Sequence, residues 1–258
     1  MTQEERIKSI VDYLGSHMRI GMEEICALYQ VSYDTARRDL VRMEQEGLIV
    51  RIRGGAMLPA ASKHIKNYKD RQEHADSKQA IARVAASLIQ DGEDLILDTG
   101  TTTQYTAEFL KSRNNVVVTN SIDIAAVLCD KPEVTTHLLG GELNSWHRYA
   151  FGPRAIEMLA DIKVDKLFLG ACGITPEGVF ATTVEEAYMK REMIKRSNQV
   201  ILLADASKFN KSMFHRVCAF ELIDMVITDE KPAEPFRSAF KESGITLMLT
   251  SETERPAD

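Results

Sequence analysis

From Ser77 onward, short apolar runs alternate with amphipathic stretches of helical length, and this alternation restricts the possible folds more than any other feature. The runs span Asp94 to Leu97, Val116 to Thr119, Thr135 to Leu139, Lys166 to Leu169, Val200 to Leu203, Met225 to Ile227 and Ile245 to Leu249. Between them lie amphipathic segments such as Ser77 to Ile89, Thr103 to Leu110, Ile122 to Cys129 and Val184 to Arg196. Strands spaced by helices predict βαβ units, and hence a largely parallel sheet covered on both faces. The expected class for this part is therefore α/β, doubly wound.

The N-terminal stretch follows another rule. Three short segments carry helical apolar periodicity: Ile7, Ile10, Val11 and Leu14; then Ile25, Cys26 and Leu28; then Ala36, Leu40 and Met43. The interval from Gly15 to Gly21 is expected to separate the first two. Gln30-Val31-Ser32 separates the second and third, with Ser32 placed to cap the third helix through its hydroxyl. Gly47 suits a left-handed stop. Leu48 to Arg53 then alternates apolar and basic residues and runs into Gly54-Gly55, the pattern of a short hairpin. Helix, helix, helix, hairpin is the order of a winged helix-turn-helix.

A chain of 258 residues has room for a small and a large unit, each with its own core. The expected division is a winged helix-turn-helix at residues 1–56, a polar linker at 57–76, the α/β domain at 77–251 and a disordered tail at 252–258. No run approaches the length of a membrane span, and Met-Thr-Gln-Glu-Glu-Arg lacks the basic-then-apolar start of a secretory signal, so a cytoplasmic protein is expected. The four cysteines, Cys26, Cys129, Cys172 and Cys218, are scattered without a C-x-x-C pair. They read as reduced and mostly buried thiols, and no metal or cofactor is expected.

The net charge of −6 argues against a nucleic-acid partner only if it is spread evenly. Val31 to Leu40 (VSYDTARRDL) shows that it is not. In a helix-turn-helix the second helix enters the major groove, where its N-terminal half meets base edges and its hydroxyl and basic groups grip phosphates. With Ala36, Leu40 and Met43 facing inward, Tyr33, Asp34, Arg37 and Arg38 lie outward. The arginines suit guanine edges or phosphates. Ser32, Thr35 and Arg42 complete this face, and Thr35 could bond a phosphate or help close the helix start. On the wing, Arg51 and Arg53 alternate outward. Any one of these arginines alone is explained as well by a solvated face shared with Asp34, Asp39, Glu44 and Glu46. Their conjunction with a capped helix and a basic Gly-Gly wing points to double-stranded DNA.

In the α/β part, Leu95 to Thr103 (LILDTGTTT) runs from a strand through a Gly-Thr turn into a helix. Backbone amides at such a start, flanked by Thr101, Thr102 and Thr103, form an anion cradle favoured by the helix dipole. It lacks both the Walker and the dinucleotide spacing, and alone it is also a routine structural joint. Other polar loops fall at expected strand ends: Thr119-Asn120-Ser121, Gly140-Gly141-Glu142, Gly170 to Gly173, and Asp205-Ala206-Ser207-Lys208. Ligands of open α/β sheets lie beyond the carboxyl ends of the strands, so these loops should converge. Asp98, Asn120 and Asp205 are suited to hydroxyl groups, and Lys208 reads either as a point charge for phosphate or as a surface lysine. Together they suit a polyhydroxylated anion.

These motifs carry a family resemblance. Residues 6–56, ending VSYDTARRDLVRMEQEGLIVRIRGGA, resemble the head of the DeoR/GlpR regulators, with its TxRRDL helix, arginine-bearing wing and GGA; Ala36 stands where a larger aliphatic is usual. Residues 77–250 are similar to the sensor domain of that family: the DxGTT loop, the TN pair, the GGE turn, Gly152, Asp165 with Phe168 and Gly170, Glu186 with Lys190, and ADxSKF at Ala204 to Phe209. The resemblance implies a fold related to ribose-5-phosphate isomerase and glucosamine-6-phosphate deaminase, and a phosphorylated sugar as effector. It would place Asp98, Gly100, Thr101, Thr102, Asn120 and Lys208 around the ligand, with Thr103, Gly141, Gly170 and Asp205 on the neighbouring loops. Glu186 is either a pocket residue or half of an i, i+4 pair with Lys190 on a helix surface. Trp146, His147 and Arg148 either shape which sugar fits or form a plain surface loop.

Two functions compete. The first is a repressor, acting as a dimer or tetramer on operator DNA and tuned by a sugar phosphate. The second is a phosphosugar isomerase or deaminase with an accessory DNA-binding domain. That enzyme needs a general base, for which Asp98, Asp205 or Glu186 would serve. It would also need the Gly-rich lysine loop of the pentose-phosphate isomerases, which is absent, and it leaves the DNA-reading head without a purpose.

Overall fold

The computed structural model describes residues 1–17, 19–52, 54–57, 74–145 and 147–253. The chain divides into two compact units, Met1–Lys66 and Asn67–Asp258. Most of the expected linker, the tail residues 254–258, Arg53 and Trp146 lie outside the described residues.

In the first unit, α1 (Gln3–His17), β1 (Arg19–Gly21), α2 (Met22–Tyr29) and α3 (Tyr33–Gln45) precede the wing strands β2 (Val50–Ile52) and β3 (Gly55–Met57). Gly15 does not end α1, which runs on to His17, because glycine near a helix end costs only about 1 kcal/mol against alanine. The wing has a third strand, with β1 pairing antiparallel to β3 in the order β1-β3-β2. That strand explains the double glycine. Gly54 turns at a φ of +86°, while a Cβ on Gly55 would sit 2.0 Å from the Ile20 carbonyl oxygen. Ile7, Ile10, Leu14, Ile25, Ala36, Leu40, Met43 and Ile49 form the core. Leu28, counted with the apolar stripe of α2, is exposed.

The start of α3 follows the sequence. The Thr35 amide donates to Ser32 Oγ at 3.3 Å, and Gly47 takes a φ of +70° just past the helix end. Asp39, which the sequence places among the surface acids, is fully buried. It lies three residues after Ala36 and four before Met43, on the inner face. Arg6 Nε donates to Asp39 Oδ2 at 2.6 Å and Gln3 Nε2 to Asp39 Oδ1 at 2.9 Å, so both carboxylate oxygens bolt α3 to α1.

The second unit is built on seven strands: β4 (Asp94–Leu97), β5 (Val116–Thr119), β6 (Thr135–Leu138), β9 (Val164–Gly170), β12 (Ser197–Leu203), β14 (Met225–Thr228) and β15 (Thr246–Leu249). They correspond to the seven apolar runs. They form one sheet in the order β15-β14-β12-β9-β4-β5-β6, and every pairing in it is parallel. Side chains alternate between two cores. Ile96, Val118, Leu167, Leu169, Val200 and Leu202 join Ala155, Leu159, Ala187, Met193, Phe236 and Phe240. These last come from α7 (Pro153–Ala160), α8 (Val184–Lys195) and α9 (Glu234–Glu242). On the other face Leu95, Leu97, Val117, Phe168, Ile201 and Leu203 meet Ile81, Ala85, Ala107, Leu110, Ile124 and Leu128. That face is lined by α4 (Ala75–Ser87), α5 (Thr101–Phe109) and α6 (Ile122–Leu128), while a final short helix, α10 (Thr250–Thr253), follows β15. The sheet is doubly wound, as expected.

Two antiparallel additions are not legible as periodic runs: the hairpin β7 (Glu142–Asn144) and β8 (Tyr149–Phe151), and a three-stranded sheet of β10 (Gly173–Thr175), β11 (Gly178–Ala181) and β13 (His215–Cys218). The chain lays down β4, β5 and β6 in one direction and then returns to place β9, β12, β14 and β15 on the other side of β4. The order therefore reverses between β4 and β9, whose carboxyl ends meet at the natural crevice of an open α/β sheet.

Removing one partner of a buried ion pair strands the other charge. Asp39→Ala should lower the stability of the first unit by roughly 3 kcal/mol in urea denaturation, whereas the Arg6→Met/Asp39→Leu double variant should lose much less.

Candidate functional site

On α3, Ser32, Tyr33, Asp34, Arg37 and Arg38 are exposed and Thr35 is half-exposed. Asp34, Arg37, Arg38, Val41, Arg42 and Gln45, spaced by three and four, line one open depression. Thr35 closes the helix start: its hydroxyl lies 2.9 Å from Ser32 Oγ. The basic groups differ in what they touch. Arg42 is held by Glu46 at 2.8 Å and by the Gln3 side-chain oxygen at 3.0 Å, and Arg51 lies 3.5 Å from Glu44. Among the described residues no carboxylate engages Arg37 or Arg38. The head thus presents two guanidinium groups open to an anion beside the first turn of a capped helix.

In the second unit the polar residues gather at the carboxyl edge of the parallel sheet. Asp98 and Gly100 follow β4, Asn120 follows β5, Gly141 lies beyond β6, Gly170 ends β9, and Asp205 with Lys208 follows β12. Asn120 and Asp205 therefore stand three strand spacings apart, about 14 Å at the backbone, on either side of the crevice. Helix α5 opens at this edge. Thr102 and Thr103 are buried, Thr101 is half-exposed, and the Thr103 hydroxyl donates to the Gly100 carbonyl at 2.9 Å. The first amides of a helix have no carbonyl partner in a preceding turn.

Asn120 and Asp205 are each 1% exposed. Asn120 Nδ2 donates to the Ala150 carbonyl at 3.0 Å and the Asn120 carbonyl accepts from the Ala150 amide at 2.8 Å, but Asn120 Oδ1 has no partner among the described residues. Asp205 Oδ1 accepts the Ser207 amide at 3.0 Å, and Asp205 Oδ2 likewise has none. Two buried acceptors left unsatisfied carry a desolvation cost that donors from a ligand would recover. Lys208 is half-exposed at the end of the short turn Ala206–Lys208. Gly141 has a structural reason of its own, since a Cβ there would lie 2.2 Å from the Phe151 carbonyl oxygen.

The pair Glu186 and Lys190 is not on a helix surface. Lys190 is 1% exposed, and its ammonium contacts Asp98 Oδ2, the Gly170 carbonyl at 3.0 Å and Glu186 Oε1 at 3.5 Å. The Gly170 amide donates to Asp98 Oδ2 at 2.9 Å. Glu186 accepts from the Cys172 thiol at 3.2 Å and the Thr182 hydroxyl at 3.2 Å. Asp98, Gly170 and Glu186 are thus brought together by a lysine that spacing alone pairs only with Glu186. A signal is present in the sequence, because Glu186 and Lys190 share their spacing with Ala187, Met193 and Ile194, the buried face of α8.

Burial works against the Lys190 charge, but Asp98 and Glu186 outweigh it and hold its pKa above the ordinary lysine range. Burial, assisted by Glu186, pushes the Tyr149 hydroxyl and the Cys172 thiol each up to about 12. Both stay protonated at neutral pH, the Cys172 thiol donating to Glu186. The cysteines are less buried than expected: Cys218 is buried, Cys26 and Cys172 are partly so, and Cys129 is exposed. Arg148 donates from Nε to Asp123 at 2.8 and 2.7 Å, and the His147 ring stacks on Tyr149, so both serve to fasten this loop.

Residues 6–61 match the family model of the DeoR-like helix-turn-helix domain, and residues 73–230 that of the DeoR C-terminal sensor domain. The HTH-type transcriptional repressor GlcR of Bacillus subtilis (strain 168) is 43% identical, over 98% of this chain and 99% of its own length. The glycerol-3-phosphate regulon repressor of Escherichia coli (strain K12) is 30% identical, over 96% and 100%. Among solved structures, ribose 5-phosphate isomerase A of Methanocaldococcus jannaschii overlays with a TM-score of 0.38 and 18% identity, over 52% of this chain and 54% of that one. A likeness at that level says nothing of activity.

A tyrosine whose folded pKa lies above its ordinary value of about 10 contributes stability that is present below pH 10 and lost as pH rises toward 12. Between pH 9 and 11.5 the unfolding midpoint should therefore fall less in Tyr149→Phe than in the unsubstituted protein, as read by chemical denaturation at each pH.

Proposed function

The chain belongs to the DeoR family of DNA-binding transcriptional regulators, and on that premise we propose that it represses a carbohydrate-metabolism operon and leaves its operator when a sugar phosphate binds the second unit. The observation that carries the sensing half is the pair of buried, unpartnered acceptors, Asn120 Oδ1 and Asp205 Oδ2, flanking the start of α5. Hydroxyl groups of a sugar satisfy such acceptors, and a phosphate suits the α5 amides beside Gly100, Thr101, Thr102 and Thr103. Lys208 then serves as a cation for the same phosphate.

Regulation requires only that the effector bind the DNA-competent and DNA-incompetent arrangements with different affinity. Two copies of the head, one per half-site, match operators whose repeats lie about one helical turn apart, so the working form in this reading is a dimer or tetramer. No helix among the described residues is long and apolar enough to cross a membrane, and a soluble cytoplasmic regulator is the natural setting. The isomerase reading is weakened by what its candidate bases touch. Of the three, Asp98 is engaged by Lys190 and the Gly170 amide, and Glu186 by Cys172, Thr182 and Lys190, so neither is poised to take a proton from carbon, while Asp205 keeps one unpartnered oxygen, Oδ2.

Fluorescence anisotropy on DNA from the promoter of its own operon tests this reading. Arg37→Ala should weaken binding by about 1–3 kcal/mol, whereas Arg42→Ala, whose charge Glu46 already offsets, should cost less. Lys208→Ala should leave DNA affinity intact and blunt release by sugar phosphates. Unchanged binding in Arg37→Ala, or release by the unphosphorylated parent sugars, would count against the assignment.

A further inference from the structure

We propose that Lys190 is the positioning residue of the effector cradle, holding Asp98 and the Gly170 carbonyl so that the Thr99-Gly100 turn presents the start of α5 to an anion. This rests on the effector reading above.

Asp98 is the residue from which that turn departs. Its amide donates to the Phe168 carbonyl at 3.1 Å, its Oδ2 accepts the Gly170 amide at 2.9 Å, and the same oxygen meets Lys190. The turn is therefore fixed at both backbone and side chain against β9. It also lies close to Gly170, where a Cβ would come within 3.4 Å of both Asp98 Oδ2 and the Thr99 carbonyl oxygen. Lys190 joins these pieces from α8, donating to Asp98 and to the Gly170 carbonyl and forming an ion pair with Glu186 at 3.5 Å.

Stability alone does not account for such a group. Buried ion pairs are commonly replaced by apolar side chains with no loss, since desolvation cancels most of their attraction. Position and charge do account for it. Asp98 stands two residues before Gly100, and an anion arriving there would meet the field of two buried carboxylates if Lys190 did not lie between them. The ammonium thus offsets the charge beside the cradle while fixing its first residue.

Equilibrium dialysis of the full chain against radiolabelled inorganic phosphate tests this, using the unsubstituted protein, Lys190→Met and the double variant Lys190→Met/Asp98→Asn, with folding checked by circular dichroism. The double variant leaves no charge stranded at position 98, and the amide oxygen of its new side chain can still accept the Gly170 amide. The expected result is measurable phosphate binding by the unsubstituted protein and a dissociation constant higher by about tenfold or more in both variants, including a double variant that melts normally. A well-folded double variant that binds phosphate as tightly as the unsubstituted protein overturns the positioning role and leaves the cradle standing. Absence of phosphate binding in the unsubstituted protein overturns the cradle and the role together. A double variant that does not fold also overturns the role, because Lys190 would then be a requirement of folding.

Discussion

Lys190 cannot be buried without its two carboxylates, and those carboxylates come from the two halves of the sheet. Asp98 leaves the first strand of the sheet, Glu186 lies one turn back on α8, and the Gly170 carbonyl ends the strand that begins the sheet's second half. The parallel register puts these ends at one edge, and the reversal of strand order opens the crevice between them. A charge placed there ties the two halves of the sheet where a ligand would enter. Around it the Cys172 thiol and the Thr182 hydroxyl donate to Glu186, and the Cys172 and Tyr149 groups stay protonated at neutral pH, so no further group of the cluster ionises.

The head applies the same logic on a smaller scale. Asp39 belongs to the same segment as Arg37 and Arg38 but turns inward to Arg6 and Gln3, while the two arginines turn outward. Thus one short stretch of sequence fixes α3 against α1 and arms its exposed face. Glu44 and Glu46 engage Arg51 and Arg42, which leaves Arg37 and Arg38, among the described arginines of the DNA-facing set, without a carboxylate partner.

Much of this was legible in the sequence. The inner strands of the parallel sheet stand out because strands covered on both faces need nearly continuous apolar runs, whereas the edge strand β6, Thr135–Leu138, is largely exposed and carries no such run. The cap at Ser32 and the stop at Gly47 follow from local chemistry that tertiary contacts do not override. What escaped depends on distant partners. β1 exists because β3 lies beside it, Asp39 is buried because Arg6 reaches it across 33 positions, and Lys190 is drawn inward by Asp98, 92 positions away. Leu28 failed in the opposite sense: its spacing suits a core, yet it stays exposed on α2. Periodicity reports which face of an element is apolar, not which charges will be neutralised there.

In the proposed function the edge carrying Asn120, Asp205 and the start of α5 receives a phosphorylated sugar. The most direct test is a thermal-shift comparison of the purified protein with a panel of sugar phosphates and, at equal concentration, their unphosphorylated parents, since a ligand of the native state raises the melting temperature by mass action. A saturable rise is expected with one or a few phosphorylated sugars and none with the matching parents. Equal stabilisation by the parents, or no shift across the panel, would contradict it.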